Sequence, residues 1–373
     1  MIKVLNVISD TNIGGAGRVI LNYLRYADRK RFEIWIALPG GSLLKAPLED
    51  AGGKIWEVDG IADRSYCRED VKVLQTLMGE LRPDIVHTHG CLSGRIAAKR
   101  CRIPAVYSRH SAFPVPARLR YPPGRWVNKF VNEHYADRII AVSPAARDNL
   151  TDGGISPEKI TVVMNGAAPV PRTSEEERAA LRRELSLPPE NVVFAILARL
   201  EPYKGHLDLV EAVRLLKEKG RTDFTVLIAG TGPFQEELAQ GIDRAGVGDR
   251  VRLLGFRSDV PALLNMLDVQ LNCSYGTEAT SMALLEGMSL GLPTIASDYG
   301  GNPWVVEDGE SGLLFPSRDA GALAAAMERL MDNPLEREKL GRQAQERYET
   351  HFTGEIFARN TENIYLDILK GAK

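Results

Sequence analysis

No run of apolar residues in this 373-residue chain approaches the roughly 18 that a membrane-spanning helix requires. Cysteine is scarce as well. The four present (Cys67, Cys91, Cys101 and Cys273) form no CxxC pair, which excludes a disulfide-stapled scaffold and a thiolate zinc site. Met1 leads directly into Lys3-Val4-Leu5-Asn6-Val7-Ile8 with neither a basic leader nor a small-residue cleavage site, so a reduced, cytoplasmic compartment is expected. Net charge is nearly absent: 47 Lys+Arg against 49 Asp+Glu leave -2, and no nucleic-acid partner is expected. That balance conceals a split. Residues 1–150 carry 23 basic against 15 acidic side chains, whereas residues 151–373 carry 24 against 34. From Ile85 to Asn132 there is no acidic residue at all.

What is present has the texture of a soluble α/β protein, with 44% apolar and 26% charged residues. The length exceeds the roughly 250–300 residues at which a single core stops growing, so two domains are expected. Continuous apolar runs alternate with helix-length amphipathic stretches, the pattern of buried parallel strands joined by crossover helices. In the first half, strands are expected at 2–8, 32–38, 84–87, 105–108, 138–142 and 160–164, with a Gly-rich loop and a helix over 18–26 after the first. Residues 167–190, with Pro169, Pro171, Pro188 and Pro189 around a charged run, read as a linker and surface helix. A second alternation follows, with strands expected at 191–197, 225–229, 251–254, 269–272, 293–296 and 312–315. The expected division is a first domain over 1–170, a linker over 171–190 and a second domain over 191–354, with a C-terminal helix over about 355–373 packing back on the first. The fold class is therefore two doubly wound Rossmann-like α/β domains facing an interdomain cleft, with ligands outside the carboxyl ends of the strands.

The densest chemistry in the sequence is GTEATSMALLEG, residues 276–287. Glu278 and Glu286 flank a stretch expected to turn helical around Thr280. A carboxylate suits paired sugar hydroxyls because it accepts two hydrogen bonds at once, and a helix N-terminus offers free N–H groups to an anion such as a diphosphate. For that pair alone, a surface glutamate and a C-capping polar residue are the preferred reading. Upstream, Arg199 and Lys204 bracket a turn after the first strand of the second half, where both could face a diphosphate leaving group. The Gly14-Gly15-Ala16-Gly17 loop is not a dinucleotide fingerprint, because Ile20 stands where the third glycine belongs and no acidic residue ends the second strand. His87 and His89 at a strand end lack a third ligand with motif spacing, so no metal is expected.

Together these segments resemble the retaining glycosyltransferases of family 4, the group 1 glycosyl transferases with the two-domain GT-B fold. The resemblance rests on ILARLEPYKGH, LIAGTGP, LLGFRSDV, the Glu278–Glu286 pair, GLPTIASDYGG and EDGESGLLFP. GGAGR, PDIVHTHG, YSRHS, AVSPAARDNL and VVMNGA add a looser match in the first half. It implies an enzyme that moves a sugar from a nucleotide-diphosphate donor to a hydroxyl acceptor with retention, without a metal or other cofactor. Arg199 and Lys204 would then hold the diphosphate, Glu286 the ribose and Glu278 the transferred sugar, with His110 near the reacting carbon. Gly15, Gly230, Gly255, Phe256, Thr280, Ser281 and Met282 would complete the donor site. Acceptor-side candidates are His89, Arg109, Arg118 and Arg120. No Asp-x-Asp occurs, so the cations stand where other glycosyltransferases place a metal. The family's frequent Gly-Gly-x-Pro-Glu here ends in Trp304, which leaves the donor sugar open. Alternatives on the same fold are a nucleotide-sugar epimerase, a phosphorylase or a silent sugar-binding module. The basic, aromatic-rich segment AFPVPARLRYPPGRWVNKF reads either as a solvated helix face with a Pro-rich loop or as a patch for an anionic acceptor, soluble or lipid-linked, with a peripheral place on an anionic membrane surface.

Overall fold

The computed structural model describes residues 1–371. They divide into two compact units, one made of residues 1–167 and the chain from Phe352 onward, the other of residues 168–351.

The first unit is built on seven parallel strands: β1 (Ile2–Ile8), β2 (Phe32–Pro39), β3 (Lys54–Val58), β4 (Ile85–His89), β5 (Ala105–Arg109), β6 (Arg138–Ala141) and β7 (Ile160–Val162), in the order β3-β2-β1-β4-β5-β6-β7. The second has six: β8 (Val192–Leu197), β9 (Phe224–Ala229), β10 (Val251–Gly255), β11 (Val269–Asn272), β12 (Thr294–Ser297) and β13 (Gly312–Phe315), in the order β10-β9-β8-β11-β12-β13. Helices cover both faces of such sheets, so the central strands must be largely apolar, and β1 and β9 are, with Asn6 and Thr225 as their buried polar members. In each sheet the order reverses beside its first strand, between β1 and β4 and between β8 and β11. A crevice opens there at the carboxyl edge because the flanking crossovers run to opposite faces.

The structure revises several expected boundaries. The edge strand β3 escaped detection because its KIWEV sequence alternates with Lys and Glu instead of running apolar. The first helix begins at Gly15, at the glycine loop itself, rather than at residue 18. Residues 168–190 are no free linker but part of the second unit. Their helix Glu175–Glu184 opens with a capping box from Ser174 to Glu177, and Leu181 and Leu187 enter a core cluster with Leu263 and Leu264. Arg182 ties the same segment to the Asp268 carboxylate at 2.7 Å.

At the far end the chain leaves the second unit before Phe352. Ala167 donates its N–H to the Phe352 carbonyl at 2.9 Å and Gly354 donates back to Ala167 at 3.1 Å, so the two crossings are clipped side by side. The helix Gly354–Gly371 then lays Phe357, Ile364 and Tyr365 into the core formed by Val4, Ile8, Val19 and Tyr23. No described helix is long and apolar enough to cross a membrane.

Candidate active site

In the second unit, the loops after β8 and β11 meet at the point where the strand order reverses. After β8, residues Pro202–Lys204 make one 3-10 turn that ends at Gly205, which is left-handed at φ +73°. A Cβ at Gly205 would lie 1.9 Å from the Cys273 carbonyl oxygen, so only glycine lets this turn press against the end of β11. Tyr275 N–H donates to the Tyr203 carbonyl at 2.9 Å and fixes the contact.

That contact delivers Lys204 to Glu278. Its Nζ donates to Glu278 Oε2 at 2.8 Å, and the side chains are only 18% and 7% exposed. The same oxygen accepts from Asn272 Nδ2 at 3.2 Å and Ser274 Oγ at 3.0 Å. Burial alone would raise the Glu278 carboxyl. The Lys204 charge and the hydrogen bonds from Lys204, Asn272 and Ser274 overcome it and hold the group below its ordinary value. Glu278 is thus an ionised, buried carboxylate and not a surface glutamate.

The loop bearing it is fastened from behind. Gly301 N–H donates to the Glu278 carbonyl at 3.0 Å, and a Cβ at Gly301 would stand 1.5 Å from the Ala279 oxygen. Asn302 is buried and donates to Ser297 Oγ at 3.1 Å. This backing keeps residues 278–280 out of the helix, which begins at Met282 rather than around Thr280. Ser281 is its N-cap without a side-chain cap bond, and no acidic residue lies in its first turn, so its leading N–H groups are available to an anion. Thr280 and Met282 are buried, and Glu286 is half-buried on the first two turns.

The other donor-side candidates are more dispersed. Arg199 is 73% exposed; its guanidinium lies 3.7 Å from Glu201 and donates to Tyr203 Oη at 3.3 Å, so it does not share the Lys204–Glu278 pair. Gly230 follows β9, donates to the Gly255 carbonyl at 2.8 Å, and leaves no room for a Cβ against Ala198. Gly255 ends β10, and Phe256 beside it is strongly exposed. Trp304 lies half-exposed on the short helix Asn302–Val305, its carbonyl accepting from Arg347 at 3.0 Å.

The first unit places its polar groups at the equivalent reversal. His89 at the end of β4 sets Nε2 3.1 Å from Asn6 Oδ1 on β1, and Nδ1 2.8 Å from His110 Nε2 just beyond β5. With the Asn6 oxygen accepting, His89 Nε2 carries the proton, His89 Nδ1 accepts, and His110 Nε2 donates. His110 Nδ1 is then a bare acceptor, buried and without a partner among the described residues. Behind this chain, His87 lies 2.7 Å from Ser108 Oγ and 2.6 Å from the Tyr365 hydroxyl. Burial, assisted by the neighbouring charges, lowers His87 to about 3 and His110 to about 4, and His89 falls well below its usual range too. All three rings are therefore neutral near pH 7. Gly15 opens the first helix with nothing within 4 Å of a would-be Cβ. Arg109 turns back to Ser111 and Asn149, whereas Arg118 and Arg120 are exposed. Among the described residues no three His, Cys, Asp or Glu side chains are grouped to hold a metal.

Asn6, Asn272, Ser274 and Asn302 were not singled out from the sequence. The signal that could have found Asn6 and Asn272 is an amide side chain within a strand expected to be buried, as in IKVLNVI and VQLN.

Two family models match the chain, "Glycosyl transferases group 1" over residues 177–347 and "Glycosyltransferase Family 4" over residues 13–169. A D-inositol 3-phosphate glycosyltransferase of Jonesia denitrificans is 30% identical, over 76% of this chain and 71% of its own. The chain belongs to the group 1, family 4 glycosyltransferases. An Escherichia coli UDP-Gal:alpha-D-GlcNAc-diphosphoundecaprenol alpha-1,3-galactosyltransferase is 26% identical over 90% of this chain and 89% of its own. In fold, the glycosyltransferase superposes on Anabaena HepE in complex with UDP with a TM-score of 0.85, covering 98% of this chain and 100% of that one at 22% identity. Its two parallel-sheet Rossmann-like domains are those of the GT-B glycosyltransferases.

Breaking the buried pair from one side strands a charge. Lys204→Met should cost roughly 3–5 kcal/mol of stability. The double variant Lys204→Met/Glu278→Gln should return to within about 1 kcal/mol of wild type, since a neutral amide keeps the Asn272 and Ser274 bonds. Urea unfolding checks this; equal losses in the single and double variants would contradict it. The histidine chain sets a pH dependence. Unfolded histidines bind protons from about pH 6.5 downward, the folded ones only near pH 3–4, so stability should fall as pH drops through that window. A denaturation midpoint that stays level or rises from pH 6.5 to 4 would contradict the neutral, buried assignment.

Proposed function

We propose that this glycosyltransferase moves a sugar from a nucleotide-diphosphate donor to the hydroxyl of a phosphate-bearing acceptor, with retention at the anomeric carbon. The observation that carries the reading is the Lys204–Glu278 pair beside the uncapped helix at Met282.

Cleaving the bond between sugar and diphosphate leaves growing negative charge on the departing phosphate. Lys204 has three donor positions and spends one on Glu278, so its ammonium can serve the phosphate without leaving the carboxylate unanswered. The exposed Arg199 supplies a second cation, and the N–H groups at Ser281 and Met282 a third positive element. The three bonds to Glu278 all fall on Oε2, so Oε1 is the atom offered to a hydroxyl of the transferred sugar. Glu286 takes the ribose, and the backbone around Gly230, Gly255 and Phe256 receives the base. The structurally similar HepE in complex with UDP supports a uridine donor.

In the first unit, His110 Nδ1 is the acceptor offered to a sugar hydroxyl, held in the right tautomer by His89 and Asn6. Gly15 opens its helix to the phosphates. His89, Arg109, Arg118 and Arg120 stand on the acceptor side. Retention follows from attack on the face that the diphosphate leaves, the acceptor proton passing to the departing phosphate oxygen. Glu278, committed to Lys204, serves as a hydrogen-bond acceptor in this scheme and not as a nucleophile. An anionic acceptor agrees with the acid-free stretch from Ile85 to Asn132 and with two relatives, one named for D-inositol 3-phosphate and one for a diphosphoundecaprenol glycan.

The test is a mass-spectrometric screen of nucleotide sugars for nucleoside-diphosphate release, with and without phosphorylated acceptors, and NMR of the product's anomeric centre. Release from a UDP-sugar, stimulated by a phosphorylated acceptor and giving a retained linkage, is expected. No release from any nucleotide sugar would overturn the transfer reading, and an inverted product would overturn retention.

A further inference from the structure

The helix Gly124–His134 is mounted inside out. A surface helix ordinarily buries its apolar stripe and shows its polar face to water. This one is attached by its polar side chains. Asn128 Nδ2 donates to the Gly153 carbonyl at 2.8 Å, Asn132 accepts from the buried Arg95 at 2.9 Å, and Glu133 accepts from Ser156 N–H at 2.7 Å. Arg125 reaches the Thr151 carbonyl at 3.4 Å. The opposite face carries Trp126, Val127 and Phe130, which are 66%, 59% and 61% exposed, and none of the helix's residues is buried. Tyr121 at 64% and Phe113 at 50% are exposed in the segment that leads into the helix. Scattered exposed apolar residues are normal, but three large ones on one helix face turned outward, with two more exposed in the segment before it, are a docking surface.

The charges around it define what docks. Gly124 lies so close to Arg118 that a Cβ there would sit 1.7 Å from the Arg118 oxygen, which brings the short helix Ala117–Arg120 against the start of the inverted one. Arg118 and Arg120 are exposed and form no ion pair among the described residues. Lys129 lies 3.8 Å from Glu133, whose carboxylate faces inward, and Asp148 on the adjoining helix is matched by Arg147 at 2.8 Å. The other basic residues of the acid-free stretch lie elsewhere or point inward: Arg95 is buried over the Tyr107 ring, Arg109 and Arg125 bond back to the protein, and Lys99, Arg100 and Arg102 lie at or just past the end of the helix Leu92–Arg100, at the amino edge of the sheet. A second copy of the chain, docked face to face, would set these cations against their own kind.

We infer that the Trp126–Phe130 face, rimmed by Arg118 and Arg120, docks this enzyme on the surface of a bilayer containing anionic lipid. Tryptophan and tyrosine rings settle at headgroup level, and arginines beside them are drawn to anionic headgroups. The two helices follow β5 at the carboxyl edge of the first sheet, the edge that carries His89 and His110, so a lipid-linked acceptor would arrive on the catalytic side. The inference does not depend on the transfer reading, because binding is measured with neither donor nor acceptor.

Sedimentation of the full chain with vesicles of phosphatidylcholine alone, and of phosphatidylcholine mixed with phosphatidylglycerol, tests it. Binding to the mixed vesicles only, falling as salt is raised, is expected. Trp126→Ser/Phe130→Ser should weaken that binding by about tenfold or more, through the apolar area no longer inserted, with an unchanged circular dichroism spectrum. Three outcomes overturn the inference: equal sedimentation with both vesicle types, undiminished binding by the double variant, or a wild-type dimer that the double variant turns into monomer.

Discussion

A carboxylate sealed inside a protein is tolerated only when a cation and several hydrogen bonds answer it, and Glu278 has both. The chain spends much of the second unit's local design on that one group. Gly205 lets the β8 loop come within reach, Asn272 and Ser274 extend from the end of β11, and Gly301 and Asn302 hold the Glu278 backbone from the other side. Because the carboxylate is pinned, the Lys204 ammonium is pinned too, and the helix starting at Met282 keeps its N-terminus open. A cation fixed beside free backbone donors is organised for an anion before any anion arrives, which is the condition under which electrostatic stabilisation costs no rearrangement during reaction.

The first unit meets the same problem by avoiding charge. Asn6, His89 and His110 form a neutral chain in which each ring fixes the proton of the next, and the terminal acceptor has no partner among the described residues. Burial enforces the neutrality, since a protonated ring there would lose its hydration without gaining a carboxylate. One unit thus presents fixed charge and the other presents hydrogen-bond acceptors, both at the reversal point of a parallel sheet.

The sheets themselves were largely legible. Buried parallel strands read as apolar runs, so β1, β11 and β13 have the expected limits, whereas β3, half solvated at an edge, did not announce itself. The motifs drew attention to Lys204 and Glu278 but not to their pairing, because the residues are 74 positions apart and are united by the Gly205–Cys273 and Tyr203–Tyr275 contacts between loops. The expected helix around Thr280 starts later because Gly300 and Gly301 press on the carbonyls of Glu278 and Ala279, a tertiary contact that local propensity does not contain. The helix Gly124–His134 shows the converse: periodicity reveals two faces, but which of them turns outward depends on the carbonyls of Thr151 and Gly153 waiting beneath.

In the proposed transfer, the Lys204 charge serves the leaving group and not only the fold. Turnover of a UDP-sugar by the Lys204→Met/Glu278→Gln variant separates the two, since its stability is restored while its cation is gone. At equal folded fraction, kcat should be lower than wild type by on the order of 10–1000-fold. Turnover close to wild type would contradict the claim and leave the pair as a purely structural device.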